Sequence, residues 1–186
     1  MSKQMKKLAT LFFLGAVCSG QPLSALAHGG ATGIVKERMD AMEDMKGAMK
    51  TVSDMFKGKI PYEAVQVRVA AETINMHAGE NLTKLFPKGS LHHPTEAKAE
   101  IWQEWDRFQH LSKELERISQ GLYDAADNVG SENEEETSAS MMGMAAEPEV
   151  QEGAESFATM PVEAVFERLS DNCSACHTDY RVEKDK

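Results

Sequence analysis

Residues 173–177 read Cys-Ser-Ala-Cys-His, which places two thiols and an imidazole within five positions near the end of the sequence. On a helix, residues three and four apart share one face, so these side chains can address a single ligand. The spacing is that of c-type haem attachment, in which both sulfurs bond the porphyrin and the imidazole binds its iron. The sequence therefore predicts one covalent haem c on Cys173 and Cys176, with His177 as the proximal axial ligand.

Three other uses of a cysteine pair fit this sequence less well. A thioredoxin-like redox pair lies at the start of a helix that follows a strand, whereas Cys173 and Cys176 fall near the end of a predicted helix. A zinc site needs about four ligands, and the sequence contains no second cysteine pair to complete one. A structural disulfide is the third alternative to haem attachment.

Four segments with helical periodicity must position this motif. The first covers about residues 34–57 and ends at Gly58, the second runs from Tyr62 to Leu85, the third follows Pro94 with Thr95 as its N-cap and reaches Leu122, and the fourth runs from Pro161 to Tyr180. No run of alternating apolar and polar residues indicates a strand. The pattern predicts an all-α fold, an antiparallel four-helix bundle of the kind that holds cofactors between facing helices.

A segment between the third and fourth predicted helices differs from the rest in composition. Residues 130–157 contain eight glutamates, no lysine or arginine, and no aromatic residue before Phe157. Such a segment buries too little apolar surface to offset the entropy of ordering it. We expect a flexible acidic loop here.

The first 27 residues have the anatomy of a cleavable export signal. A basic start is followed by an apolar stretch over residues 8–17 and by small residues that end at Ala27. A membrane anchor would need about 20 apolar residues, which is more than this stretch provides. We expect a periplasmic protein whose single haem domain is residues 28–186, with no membrane insertion after cleavage.

The charge of the chain indicates which partners it can attract. The formal charge is −10, and removal of the leader with its three lysines makes it −13. A surface of this sign repels nucleic acid and anionic lipid. It favours redox protein partners with a basic docking surface, which it would attract in a salt-dependent way.

Several motifs together resemble the cytochrome c′ family, the class II c-type cytochromes. The family's attachment motif continues as Cys-x-x-Cys-His-x-x-Tyr-Arg, and residues 173–181 match it throughout. Its Gly-x-x-Pro-Tyr link between the first two helices appears at residues 58–62. Its first helix carries an arginine four residues before the side chain that faces the haem, which corresponds to Arg38 and Met42. The resemblance covers about residues 34–183, and the acidic loop is the main departure from it.

The resemblance implies a role for Met42 as the distal axial ligand. Family members with a methionine at this place are low-spin and six-coordinate, whereas an apolar side chain leaves a five-coordinate haem. A thioether favours ferrous iron, and ligation by His and Met leaves no vacant position for small molecules. Met39, Met45 and Met49 are rivals on the same helix, and packing in the core is the alternative role for all four.

The resemblance also implies neighbours for the haem. Arg38 would lie near a haem propionate, and Arg181 would lie near the proximal histidine, where a guanidinium can stabilise negative charge. Tyr180 shares a helical face with His177 and is expected to pack in the bundle beside the haem. Family members occur as monomers and as homodimers, and both remain open here.

Two functions of different classes follow from these residues. The first is a one-electron carrier that cycles between ferric and ferrous iron, and the alternative is a five-coordinate haem protein that binds NO or CO. An enzyme is not predicted, because the sequence presents neither an evident nucleophile with its base nor a second redox centre.

Overall fold

The computed structural model describes residues 30–130 and 157–182. Its elements are α1 (Gly33–Phe56), α2 (Ala64–Met76), α3 (Glu80–Thr83), α4 (Glu100–Gln103), α5 (Trp105–Asp124), a 3-10 turn (Phe157–Thr159) and α6 (Val162–Tyr180). Within these residues there is no strand, only an isolated bridge between Ala97 and Arg181. The predicted leader and nearly all of the predicted acidic loop lie outside the described part of the chain.

The four long helices form the predicted bundle. α1 packs against α2, α2 against α5, and α5 against α6. At one end of the bundle α1 also meets α6, where the ring of Phe56 lies 5.3 Å from that of Phe166 in an edge-to-face arrangement. The core between the helices is made of aliphatic side chains with 2% exposure or less, among them Val52, Val67, Ile74, Leu122, Val165 and Leu169. The prediction of an all-α four-helix bundle is confirmed.

The end of α1 follows directly from its glycine. Gly58 has a φ of 66°, its N–H donates to Met55 O at 2.9 Å, and the N–H of Lys59 donates to Asp54 O at 2.9 Å. This pair of bonds is the Schellman motif, which satisfies carbonyls that the helix itself leaves without partners. The predicted end of the first helix is therefore confirmed.

The second predicted helix is shorter than expected. α2 ends at Met76, and α3 adds a single further turn after Gly79, which has a φ of 57°. Contacts with α5 fix this break, because Gly79 N donates to Ser112 O at 2.9 Å and Ser112 Oγ donates to Gly79 O at 2.8 Å. The prediction of one helix from Tyr62 to Leu85 is wrong, since these tertiary hydrogen bonds replace the helical ones.

The third predicted helix begins later than expected. Thr95 is not an N-cap; α4 starts at Glu100, and Glu104 separates it from α5. Residues 96–98, which we call the strap, instead run beside residues 180–182 after the end of α6. The strap is held there by backbone bonds from Lys98 N to Tyr180 O at 2.9 Å and from Val182 N to Glu96 O at 2.7 Å.

The residues that flank positions 131–156 are tied to one another. Val162 N donates to Asn128 O at 2.9 Å, and the Asn128 side chain donates to Met160 O at 3.3 Å. Gly130 N donates to Glu163 Oε2 at 3.2 Å. The end of α5 and the start of α6 therefore form a closed stem.

None of the helices in residues 30–130 and 157–182 is long and apolar enough to cross a membrane.

Candidate haem site

A cleft of about 350 Å³ lies between α1 and α6 and is walled by residues from α3 and α5. α1 contributes Met42, Met45, Lys46 and Met49, and α6 contributes Ser170, Asn172, Cys173, Ser174, Cys176 and His177. Leu82, Leu111, Ser112 and Leu115 complete the lining. The structure thus brings the predicted attachment motif and the predicted distal methionine to a single site.

No disulfide joins the two cysteines of the motif, which are half-buried in the wall of this cleft. Burial raises the pKa of both Cys173 and Cys176 to about 11, and the like charges of Cys173 and Asp179 contribute further at Cys176. A thioredoxin-type nucleophile requires the thiolate, which this site disfavours. A zinc site needs about four ligands, and no group of three or more His, Cys, Asp or Glu side chains that could hold a metal occurs among the described residues. The redox-pair and zinc alternatives are therefore less well supported than covalent attachment.

The imidazole of His177 borders the cleft one position after Cys176. Desolvation is the main cause that lowers its pKa; the charge of Arg181 adds to the effect and that of Glu96 opposes it. The net lowering of the pKa favours the neutral imidazole, which is the form that binds a metal.

The methionines of α1 divide into those that face the cleft and one that does not. Met42, Met45 and Met49 line it, whereas Met39 lies outside the lining. Met45 is 8% exposed and belongs to the core, whereas Met42 and Met49 are half-buried at its edge. Met42 and Met49, two turns apart on α1, therefore lie at the cleft edge, while Met45 borders both the cleft and the core.

Arg38 has an unusual environment for a cation. It is 4% exposed, its Nη2 donates to Ser90 O at 3.0 Å and to Ser90 Oγ at 3.1 Å, and its guanidinium lies 4.4 Å above the Phe86 ring. Its buried Nε has no hydrogen-bond partner among the described residues. Burial lowers its pKa. Arg38 lies one turn before Met42 but is not among the residues that line the cleft, so its place beside the haem remains a prediction. A buried cation with an unused donor suits an anionic partner such as a propionate.

Arg181 and Tyr180, the other predicted neighbours of the haem, both contact side chains of the protein. Arg181 forms an ion pair with Glu96 of the strap, with Nε to Oε2 at 2.8 Å. Tyr180 is buried, its ring meets that of Phe108 edge to face at 5.5 Å, and its hydroxyl donates to Glu104 at 3.1 Å. Desolvation and this carboxylate raise the pKa of Tyr180 to about 12. Tyr180 thus packs in the bundle. Neither Tyr180 nor Arg181 lines the cleft, and their places beside the haem remain predictions.

Some residues that line the cleft belong to no sequence motif and were not predicted. Asn172 precedes the first cysteine and donates its amide to Leu111 O of α5 at 3.1 Å, which joins the two helices beside the attachment point. Ser112 is 1% exposed and borders the cleft while it fixes the α2–α3 break. The only sequence signal for Ser112 is a polar residue at a core position of an amphipathic helix.

Comparison with known proteins identifies the family. A family model described as cytochrome C' matches residues 33–147, which include α1 to α5. The chain belongs to the cytochrome c′ family. The matched part of this cytochrome ends before residues 173–177, so the attachment motif is an independent observation.

Individual relatives agree with this membership. A cytochrome c-556 from Agrobacterium tumefaciens (strain II Chrys) is 29% identical over 152 residues, which are 82% of this chain and 99% of the relative. The structure of cytochrome c′ from Rhodopseudomonas palustris aligns with a TM-score of 0.61 at 20% identity and covers 83% of this chain and 100% of its own. A nitric oxide complex of a mutant cytochrome c′ from Alcaligenes xylosoxidans aligns with a TM-score of 0.56 at 21% identity, over 81% and 94% of the two chains. These two structures show that the fold is shared.

The family determines the cofactor. Cytochromes c′ bind one covalent haem c, and Cys173 and Cys176 of this chain stand in the motif that attaches it. The prediction of one haem c is confirmed, and the protein is a haem-containing c-type cytochrome. The thiols on α6, the thioethers on α1 and the buried Arg38 all suit such a group.

Proposed function

We propose that this cytochrome is a periplasmic one-electron carrier whose haem is held by His177 on one side and Met42 on the other. The observation that carries the proposal is that α1 and α6 present a thioether and an imidazole to the same cleft. When bound, the haem supplies a ferric–ferrous couple that accepts and returns one electron. The side chains of Met42 and His177 would close both axial positions, which excludes small molecules and suits electron transfer.

Two considerations favour Met42 over the other methionines of the cleft. It follows Arg38 by four residues, the register that the family resemblance implies. It is also only half-buried where it borders the cleft, whereas the 8% exposure of Met45 is that of a core residue. Met49 has similar burial to Met42 and is therefore its strongest rival.

The second candidate function is the binding of NO or CO at a five-coordinate haem. The nitric oxide complex of the Alcaligenes xylosoxidans protein favours it, because that protein shares this fold. In this case Met42 would pack over the haem without binding its iron, and the gas would occupy the distal position.

Addition of carbon monoxide to the reduced holoprotein separates these two functions. The carrier should show little change in its optical spectrum, and Met42→Ala should become high-spin and form the adduct rapidly. Met45→Ala and Met49→Ala are matched controls that should remain low-spin. Rapid adduct formation by the unmodified protein would instead support gas binding, and conversion by Met49→Ala alone would assign the ligand to Met49.

The arginines and the charge of the chain complete the proposal. Arg38 would use its unpaired Nε toward a propionate, and Arg181, together with Glu96, would set the charge around the proximal imidazole. The formal charge, −10 for the full sequence and −13 without the leader, suits partners with a basic docking surface. The proposed role is electron transport, with no enzymatic reaction assigned.

A further inference from the structure

The last turn of α6 carries the proposed haem ligand and ends in four carbonyls that no helical N–H can reach. One of them, His177 O, accepts from Arg181 N at 3.0 Å. The other three accept from a single residue of the strap, Lys98, at 3.0 Å (Nζ to Thr178 O), 3.2 Å (Nζ to Asp179 O) and 2.9 Å (N to Tyr180 O). Lys98 therefore completes the end of the helix that bears the attachment motif.

The strap keeps its place by contacts that do not need the Lys98 ammonium. Val182 N donates to Glu96 O at 2.7 Å, and Arg181 pairs with the Glu96 carboxylate. Replacement of the Lys98 side chain therefore leaves the backbone bonds of the strap available, including that from Lys98 N. A substitution of the Lys98 side chain therefore tests the ammonium charge while the strap stays bound to residues 180–182.

The ammonium of Lys98 differs from the other cations at this end of α6. Arg181 is paired with Glu96, and Arg107 is paired with Asp179 at 2.5 Å, so both charges are largely neutralised locally. Among the contacts of the described residues, Lys98 Nζ meets only backbone carbonyls. It lies at the negative end of the α6 macrodipole, where a cation is stabilising.

We propose that Lys98 is a positioning residue for His177, and that its charge offsets the negative end of α6 and raises the reduction potential of the haem. Oxidised haem carries one more positive charge than reduced haem, so a nearby cation disfavours the oxidised form. A charge at a helix end interacts with the helix dipole by about 0.3–1 kcal/mol. We expect an interaction of the same order between the Lys98 ammonium and the extra charge of ferric haem, which corresponds to about a two- to fivefold change in the redox equilibrium. This inference rests on the proposed ligation of the iron by His177, but it is independent of whether Met42 binds the iron.

Three substitutions at Lys98 and one control test the proposal in the holoprotein. Lys98→Met removes both charge and donor, Lys98→Gln keeps a donor without the charge, and Lys98→Arg keeps the charge. Lys57→Met is the matched control, because Lys57 is an exposed lysine that follows Phe56, at the end of the bundle where α1 meets Phe166. The measurements are the reduction potential by optical titration, the melting temperature, and haem content by the pyridine haemochrome assay.

We expect the electron-exchange equilibrium with a reference mediator to shift about two- to fivefold toward oxidised protein in Lys98→Met and Lys98→Gln. Lys98→Arg and Lys57→Met should stay near the unmodified protein. Unchanged potentials in both uncharged variants, with only a lower melting temperature, would reduce Lys98 to a structural cap and overturn the proposal. A shift in Lys98→Arg as large as that in Lys98→Met would also overturn the proposal, because Lys98→Arg keeps the positive charge.

The design also covers failure at earlier steps. If Lys98→Met does not mature, Lys98→Gln alone decides the question, because it retains a hydrogen-bond donor for the carbonyls. Absence of covalent haem from the unmodified protein would contradict the proposed function itself. A haem-loaded variant with an unmoved potential contradicts only the role of Lys98.

Discussion

Gly121 lies in the middle of α5 and has no room for a side chain. A Cβ at this position would lie 2.5 Å from Phe157 Cβ and nearer still to two carbons of its ring. Phe157 is 6% exposed and begins the turn that leads into α6, with the guanidinium of Arg117 at 4.6 Å from its ring centre. We therefore predict that Gly121→Ala destabilises the protein by displacing this anchor of the haem-bearing helix.

The magnitude follows from two opposing terms. Alanine is favoured over glycine inside a helix by about 1 kcal/mol. Overpacking opposes this gain, because Phe157 must retreat by about 1 Å, and such strain costs about 1–3 kcal/mol. The free energy of unfolding should fall by about 0–2 kcal/mol in the unmodified background. In a Phe157→Ala background the same substitution should instead raise it by up to about 1 kcal/mol.

The assay is urea unfolding of the four proteins of this double-mutant cycle, followed by far-ultraviolet circular dichroism. The coupling between the two positions should be about 1–3 kcal/mol. Gly47→Ala on α1 is the control, because nothing lies within 4 Å of a Cβ there and the substitution should stabilise by about 0.5–1 kcal/mol. Equal effects of Gly121→Ala in both backgrounds would show that Phe157 does not occupy the space assigned to it.

Further predictions concern the contacts around the cleft and the surface. Tyr180→Phe removes the bond to Glu104 and should lower the free energy of unfolding by about 1 kcal/mol with unchanged haem content, as measured by urea unfolding. The pKa of Tyr180 is raised to about 12 in the folded state. Its contribution to the free energy of unfolding is therefore complete below pH 10 and is lost as pH rises from about 10 through 12. The fall in stability between pH 9 and pH 11 should be smaller in Tyr180→Phe. Ser112→Ala should cost about 1 kcal/mol and increase amide exchange after Gly79, because the Gly79 carbonyl loses its side-chain donor. Oxidation of the reduced protein by a cationic metal complex should slow with added salt, whereas oxidation by an anionic complex should accelerate; rates that do not respond to salt would contradict steering by the acidic surface.

The parts of the fold that follow local rules were predictable from the sequence. The end of α1 depends on Gly58 and its neighbours, and the start of α6 follows Pro161, so both were placed within one or two residues. The break after α2 depends on Ser112, more than thirty positions away, and the late start of the third helix depends on the strap and residues 180–182. These non-local hydrogen bonds leave no periodic signal, which is why the predicted boundaries were wrong there.

The site divides in the same way. Fixed spacing made Cys173, Cys176 and His177 predictable, because the chemistry of attachment requires it. The predicted ligand roles of His177 and Met42 remain predictions. The role proposed for Lys98 could not be predicted from the sequence, since its ammonium donates to carbonyls of residues about eighty positions away. Arg181 carries a predicted role, but its pairing with Glu96 depends on the strap and became visible only in the fold.

The closed stem between α5 and α6 has a consequence for how this sequence can vary. Because Asn128, Gly130, Val162 and Glu163 already hold the two chain ends together, the length of chain between them adds only a slowly growing closure entropy, about 0.6 kcal/mol for each doubling. Insertions and deletions at this point should therefore leave the register of the haem-bearing helix unchanged. The stem is thus a place where evolution can add or remove sequence, and where an engineer can insert a reporter or a tether, without redesigning the bundle.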